Sequence, residues 1–363
     1  MFNLSSLKGH WPGFILLGLV VLYTVFWFVM AGRVESGVDR WIERQAHHGT
    51  EVTYQSLKVS GFPFRLQATF EAPQIIALEH DSGISWTGER LRIVTRVFNI
   101  NHIILDLFGH QSLSWMDAPA DGSRTPSTVS VDFSGSQLRG SLILKSGHIK
   151  NIDTDFQDII ADVYTDGTIT MILDGSDHVE IERLEYHSQL LKGQSGSYSR
   201  DVLMRVEGMS TEEKPSPEFD PEIEEILVAF SEEIAGQVAL HSGDIGGDMP
   251  SQPAQKVTLH DAHILWPPLS ARIEGKLSRG KKANRDGQFS GKVKLYLKGH
   301  EDMVRELAED GDAQPGVAIA AGALFGILEK VTDENEEGEL VVPLQVKDGE
   351  VFFGFLPLFN VDG

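Results

Sequence analysis

The sequence has no cysteine, few basic residues for its acidic content, and a single long apolar run. Without cysteine the chain forms no disulfide, which is compatible with an oxidising compartment but does not require one. The 31 basic and 53 acidic residues give a net charge of −22, which repels phosphate backbones and argues against nucleic acid as a partner. A hydrophobic content of 41% still supports a folded core.

The sequence also lacks the motifs of familiar enzymes and metal sites. Residues 193–197 (GQSGS) miss the last glycine of a nucleophile elbow, and residues 280–282 (GKK) lack the upstream glycine and hydroxyl residue of a phosphate-binding loop. The acidic run from Asp153 to Asp162 lacks the glycine and terminal glutamate of a calcium loop. We therefore predict no catalytic residue, metal or cofactor. An unrecognised hydrolase is the remaining enzymatic alternative.

The apolar run at residues 12–31 predicts an uncleaved transmembrane anchor after a short cytoplasmic N-terminus at residues 1–11. About 20 residues rising roughly 1.5 Å each match a hydrocarbon core of about 30 Å. Trp11 and Trp27 suit the two interfaces of a spanning helix. Cleavage after Ala31 is the alternative, although aromatic residues crowd that position.

Charge alone leaves the orientation of the anchor open. Lys8 precedes the span, whereas Arg33, Arg40 and Arg44 follow it, so a simple positive-inside count places the bulk of the chain in the cytoplasm. That rule weakens when a long domain follows the span, because such domains are translocated largely regardless of local charge. We therefore favour export.

Beyond the anchor, the pattern predicts a β-rich α+β protein. An amphipathic helix continues out of the membrane through Val34, Val38, Trp41 and Ile42, and the period then changes to two. We expect antiparallel sheets, each packed by one or more helices, with a duplicated sheet-plus-helix unit as one interpretation. Predicted strands include residues 64–70, 83–86, 90–96, 102–107, 127–133, 137–145, 179–186, 201–207, 256–259, 271–277 and 292–298.

A proline-bearing polar stretch at residues 211–221 predicts a linker between a first half at 32–210 and a second half at 222–363. After it, Asp220 is a candidate N-cap, and residues 223–234 carry an apolar stripe typical of a helix ending at Gly236. Residues 317–328 are apolar all round and predict a buried helix. Residues 340–346 and 351–355 predict a hairpin turning at Asp348-Gly349.

Aromatic-proline pairs precede two of the predicted strands and indicate an internal duplication. If the helices leave part of the sheets uncovered, the apolar faces form a groove suited to acyl chains; if all is covered, they are ordinary core. The candidate groove or structural residues are Phe62, Pro63, Phe64, Leu66, Trp266, Pro267, Phe353 and Phe355.

Several segments together resemble a known family. A single N-terminal span, residues 60–66 (SGFPFRL), residues 340–351 with Lys347-Asp348-Gly349-Glu350-Val351, and residues 355–358 (FLPL) are similar to the domain of unknown function 2125 family. The resemblance implies an inner-membrane anchor in a Gram-negative bacterium and a periplasmic domain, and it brings no catalytic residues. The layout also resembles AsmA-like envelope proteins, whose sheets form lipid-conducting grooves.

These observations predict a non-catalytic, single-pass protein of the bacterial inner membrane with its bulk in the periplasm. It contacts the lipid bilayer through the N-terminal helix, and we expect an apolar sheet surface to bind lipid or a lipidated partner in envelope maintenance. The alternative is an assembly module that binds another envelope protein through a sheet edge or the acidic surface.

Overall fold

The structure, a computed structural model, divides into two compact units, residues 1–128 and 129–363. It describes residues 11–47, 49–79, 82–117, 127–145, 148–165, 178–192, 198–211, 222–234, 256–279, 288–302, 305, 326, 332–347, 349–354 and 356–360. Most of the predicted linker lies outside these residues, so the predicted division into halves stays a prediction.

Helix α1 (Trp11–His47) opens unit 1 and joins the apolar run to the amphipathic segment without a break. Val34, Val38, Trp41 and Ile42 are all half-buried, which confirms the predicted inward stripe. The helix ends before Gly49, whose positive φ of 79° and amide bond to the carbonyl of Ala46 (3.2 Å) close the last turn.

Unit 1 continues as an antiparallel sheet with six described strands. They are β1 (Thr50–Thr53), β2 (Ser56–Ser60), β3 (Arg65–Glu71), β4 (Gln74–Glu79), β5 (Ser82–Arg96) and β6 (Asn99–Asp117). β3 and β4 both pair with the long β5, one beside each of its halves, and are separated at Ala72, which has a positive φ of 46°. β1 pairs with the outer edge of β4 and β2 with that of β3, so β1 and β2 are separated at the same position along the sheet.

Helix α1 packs on the side of β3 that the alternating sequence predicted to be buried. Leu66, Ala68 and Phe70 are buried and alternate with their neighbours, as predicted. Trp27 and Ala31 of α1 form one buried cluster with Leu66 and with Val97 from the turn after β5. The part of α1 around Trp27 and Ala31 and the end of the sheet near Leu66 and Val97 therefore share one packed core.

Unit 2 is a large antiparallel sheet. Its strands are β7 (Ser127–Ser134), β8 (Gln137–Lys145), β9 (His148–Thr165), β10 (His178–Lys192), β11 (Tyr198–Thr211), β12 (Glu222–Ile234), β13 (Lys256–Trp266), β14 (Leu269–Arg279), β15 (Phe289–Lys298), β16 (Asp333–Glu334), β17 (Leu340–Lys347), β18 (Glu350–Phe353) and β19 (Leu356–Asn360). From β9 to β15 each strand pairs with the next along the chain, and β15 then pairs with β17.

The predicted helix over residues 223–234 is wrong, because this segment is strand β12, paired along its length with β11 and β13. The glutamates of this segment form ion pairs with the neighbouring strands: Glu225 with Arg205 and Glu233 with Lys256. β-Branched and aromatic residues within it, such as Phe230, favour a pleated strand once both neighbours are present.

Other predictions on unit 2 have mixed outcomes. The C-terminal hairpin is confirmed: β17 and β18 pair at Lys347 and Glu350, and Gly349 has a positive φ of 82°. The β-rich part of the predicted fold class is confirmed. In the described part of unit 2, helical residues occur only at 300–302, 305 and 326, so helices that pack each sheet are not found there. Most of the predicted helix at 317–328 lies outside the described residues.

Candidate functional site

The sheet of unit 2 has one apolar and one polar face. Strand register places Tyr186, Met204, Val228 and Ala262 side by side on four successive strands, and this row continues through Ile273. Parallel rows lie above and below it on the same side. The apolar face comprises Leu184, Tyr186, Leu190, Val202, Met204, Val206, Ile226, Val228, Phe230, Leu259, Ala262, Ile264, Ala271, Ile273, Val293, Leu295, Leu297, Leu340, Val342 and Leu344.

Coverage of this apolar face is uneven: β17 is well covered, whereas on β11 Met204 is exposed between the buried Val202 and Val206. On β17, Leu340 is 3% and Val342 2% exposed. On β11, Met204 is 38% exposed, and its register partners Tyr186 and Val228 are only half-buried. We define the open part of the apolar face as Tyr186, Met204, Val228 and Phe230.

The apolar face is wider than its open part. Neighbouring strands lie about 4.8 Å apart, so the row from β10 to β17 extends for roughly 29 Å, and the open part on β10 to β12 for roughly 10 Å. The open part thus has room for part of an acyl chain, which spans about 15 Å in a bilayer leaflet. An exposed apolar strip on an otherwise acidic protein is typical of a site for an apolar ligand.

The opposite face carries ion pairs both between strands and within one strand. Arg183 lies 2.9 Å from Asp155 and 2.8 Å from Glu185, and Arg205 lies 3.0 Å from Glu225. Partial burial of Asp155 opposes its ionisation, but hydrogen bonds from Arg183 and Gln157 prevail and lower the pKa of that carboxyl. These ion pairs therefore keep this face charged and polar.

His263 on β13 joins the same network. Its Nδ1 lies 3.0 Å from Asp261 and its Nε2 3.1 Å from Glu225. Burial alone lowers the pKa of this imidazole, but the hydrogen bonds to the two carboxylates outweigh it and raise the pKa above 6.5. Both ring nitrogens therefore have a carboxylate partner.

A polar depression of about 350 Å³ lies on the polar face and includes Asp153, His187, Asp201, Ser231 and His260. Ser231 Oγ donates to Asp201 at 2.7 Å and lies 2.7 Å from His260 Nε2, while His187 Nδ1 lies 3.0 Å from Asp153. In a catalytic triad the carboxylate accepts a hydrogen bond from the imidazole nitrogen that faces away from the serine. Here Asp201 accepts a hydrogen bond from Ser231 instead. Asp201 therefore does not orient His260 as a general base for this serine.

The predicted groove residues fall into two groups. In unit 1, Leu66 is 3% exposed and belongs to the core, whereas Phe62 and Phe64 are 49% and 72% exposed beside the half-buried Pro63. In unit 2, Trp266 and Pro267 are half-buried at the β13–β14 turn, and Phe353 packs against the cluster of Leu297, Leu340 and Val342. Phe355 lies outside the described residues.

Sequence reasoning did not find the open part of the apolar face. Val228 and Phe230 belong to β12, which was predicted as a helix, so their alignment with Met204 was hidden. It also did not find Ser231 beside His260, because only strand register brings those two together. The described residues hold no cluster of three or more possible metal ligands.

The sequence matches a family model over residues 27–362, from the buried Trp27 to the last strand; the family is described as an uncharacterized protein conserved in bacteria (DUF2125). The chain belongs to the domain of unknown function 2125 family. The resemblance found in the sequence is thus confirmed, and it covers both units of this family member. Neither the curated proteins nor the solved structures contain a match to it.

One described helix of this family member is long and apolar enough to cross a membrane. The apolar part of α1 has a mean hydropathy of 2.5 over its most apolar window, and only 11% of that window is buried. These values are compatible with the predicted N-terminal anchor.

Proposed function

We propose that this member of the domain of unknown function 2125 family is a non-catalytic, single-pass inner-membrane protein with its bulk in the periplasm. Its open apolar face, Tyr186, Met204, Val228 and Phe230, binds the acyl chain of a lipid or of a lipidated partner. The observation that carries this proposal is the 38% exposure of Met204, between Tyr186 and Val228 in a continuous apolar row.

A single sheet face suits this task because it recognises hydrocarbon without a specific polar contact. The polar face of the same strands carries paired charges and stays in water, so a ligand that avoids water is directed to one side. The same architecture explains why the chain can lack catalytic motifs and still have a defined surface for a ligand.

The test is lipid analysis of the full-length protein purified in a mild detergent. Mass spectrometry should detect co-purifying lipid in the wild type and much less in Met204→Glu, which places a carboxylate in the apolar row. Leu203→Glu is the matched control, because it adds the same charge to the opposite face of the same strand. Equal lipid in all three proteins, or none in the wild type, contradicts the proposal.

Orientation is tested separately with a reporter fused after Gly363 that is active only in the periplasm. Activity of that reporter supports export. Activity of a cytoplasmic reporter at the same position contradicts the periplasmic part of the proposal and favours the interpretation of the arginines after the anchor as a topology signal.

The assembly module remains the second candidate, supported by the net charge of −22 and by the paired charges of the polar face. In-cell crosslinking that recovers one specific envelope protein, together with lipid-free protein after purification, favours it. A hydrolase has one supporting observation, the contact of Ser231 with His260. Ester hydrolysis by the wild type that is lost in Ser231→Ala would establish that activity.

A further inference from the structure

The part of α1 that projects free of unit 1 is too short to cross a membrane. Residues 13–22 contact no other element closely enough to be buried, and Leu22 is 67% exposed. From Tyr23 onward the helix packs on the sheet, and the Tyr23 hydroxyl donates to the carbonyl of Pro63. Residues 11–22 extend for only about 18 Å, against a hydrocarbon core of about 30 Å.

A full span therefore includes residues 23–31, which are already in contact with the protein. Extending the span in the other direction brings in Lys8 and His10, which are costly in hydrocarbon. Phe26 and Phe28 belong to this packed segment and are still 41% and 63% exposed. Because residues 23–31 then lie in the hydrocarbon core, the parts of unit 1 that pack beside them lie at the same depth.

What lies beside it are two turns with exposed apolar side chains. Phe62 and Phe64 belong to the β2–β3 turn, and Phe98 and Ile100 to the β5–β6 turn and the start of β6; the latter two are 77% and 55% exposed. We call these four residues the apolar tip. Tyr23 joins both turns to the helix, with ring centroids 6.4 Å from Phe62 and 5.9 Å from Phe98.

Arginines stand at the border of the apolar tip. Arg65 and Arg96 are register partners at the strand ends next to the two turns, and both are exposed. Arg33, also exposed, follows Phe28 on the helix by five residues, or about 7.5 Å. Arginines at such a border extend their guanidinium groups to lipid phosphates while their stems stay in apolar surroundings.

We propose that the apolar tip of unit 1 inserts into the membrane leaflet beside α1, with Arg33, Arg65 and Arg96 at the level of the headgroup phosphates. This inference rests on the membrane anchoring in the proposed function and adds a second, sheet-borne contact with the bilayer. It is argued from continuity, because the rings of Tyr23 and Phe28 on the helix lie against the rings of the tip. It also gives Arg33 a role other than a topology signal.

The absence of cysteine makes the test direct, since each introduced thiol is the only one in the protein. Full-length Phe64→Cys and Phe98→Cys carry an environment-sensitive fluorophore and are reconstituted into vesicles of phosphatidylethanolamine and phosphatidylglycerol. Lipids with a quencher on the acyl chain should remove most of the emission at both positions. The two sites lie on separate turns and are 72% and 77% exposed, so neither substitution removes buried contacts.

Two further positions separate the possible outcomes. Phe14→Cys reports on the span itself. Thr53→Cys, which aligns through Gln74 with Thr87 and so lies nine residues along β5 from Arg96, or about 30 Å from the tip, should escape quenching. If Phe14→Cys is quenched while both tip positions behave like Thr53→Cys, the tip lies outside the bilayer and the inference is overturned while the anchor stands. If Phe14→Cys also escapes quenching, the anchoring proposal fails together with the inference.

Discussion

Leu340→Ala and Met204→Ala should differ sharply in their effect on stability, although both residues lie on the same apolar face. Leu340 is 3% exposed and packs with Leu297 and Val342, so its removal leaves a cavity in a closed region. Leucine-to-alanine changes in such places cost about 2–5 kcal/mol, and we expect about 3 kcal/mol here. Met204, at 38% exposed, should cost about 1 kcal/mol or less, because its surroundings are open.

Unfolding of the full-length protein in detergent measures this difference. In a domain of this size, 1 kcal/mol shifts the Tm by roughly 2–4 °C, so Leu340→Ala should lower the Tm by about 6–12 °C and Met204→Ala by a few degrees at most. Unfolding is followed by circular dichroism after exhaustive removal of lipid. Equal losses for the two variants would refute the reasoning, because Met204 would then be covered as fully as Leu340 and the apolar face would have no open part.

Three further predictions concern single contacts. Trp27→Ala should cost unit 1 about 3–5 kcal/mol and speed hydrogen exchange around Leu66, because it removes a buried ring and its 3.0 Å bond to the carbonyl of Arg65. Gly61→Ala should destabilise the β2–β3 turn by about 1–3 kcal/mol, seen as a lower denaturation midpoint, because the φ is +103° and a Cβ would lie 2.8 Å from a carbonyl oxygen. His263→Gln should cost more stability near about pH 5.5 than near about pH 8.5, because the raised pKa gives stability that is complete below about 6.5 and lost as pH rises through the folded value. Urea midpoints at both pH values, compared with the wild type, would contradict this if the cost were equal or reversed.

Local signals predicted much of unit 1 and the C-terminal hairpin. The stripe of Val34, Val38 and Trp41 lies within one helical period, and the alternation of Leu66, Ala68 and Phe70 lies within one strand. The Asp348-Gly349 turn likewise depends on two adjacent residues. In each case the burial that decides the structure is already visible in neighbouring sequence positions, so no distant partner was needed to make the prediction.

Strand β12 could not be predicted in the same way, because its apolar residues satisfy two periods at once. Ile226, Leu227 and Phe230 fit a helical stripe, and Ile226, Val228 and Phe230 fit one side of a strand. Pairing with β11 and β13 decides between them, since these neighbours supply Arg205 and Lys256 to glutamates that would otherwise stay in water on a helix.

The candidate lipid-binding surface was missed for the same physical reason. Its members come from strands far apart in sequence, and only register places Tyr186 beside Met204 and Met204 beside Val228. With β12 as a strand, the apolar sides of five neighbouring strands point to the same face of the sheet and their polar sides to the other, so the sheet is amphipathic. A surface made of rows across strands leaves no motif along the chain, which is why the sequence shows an apolar run and alternating strands but no local signature of this surface.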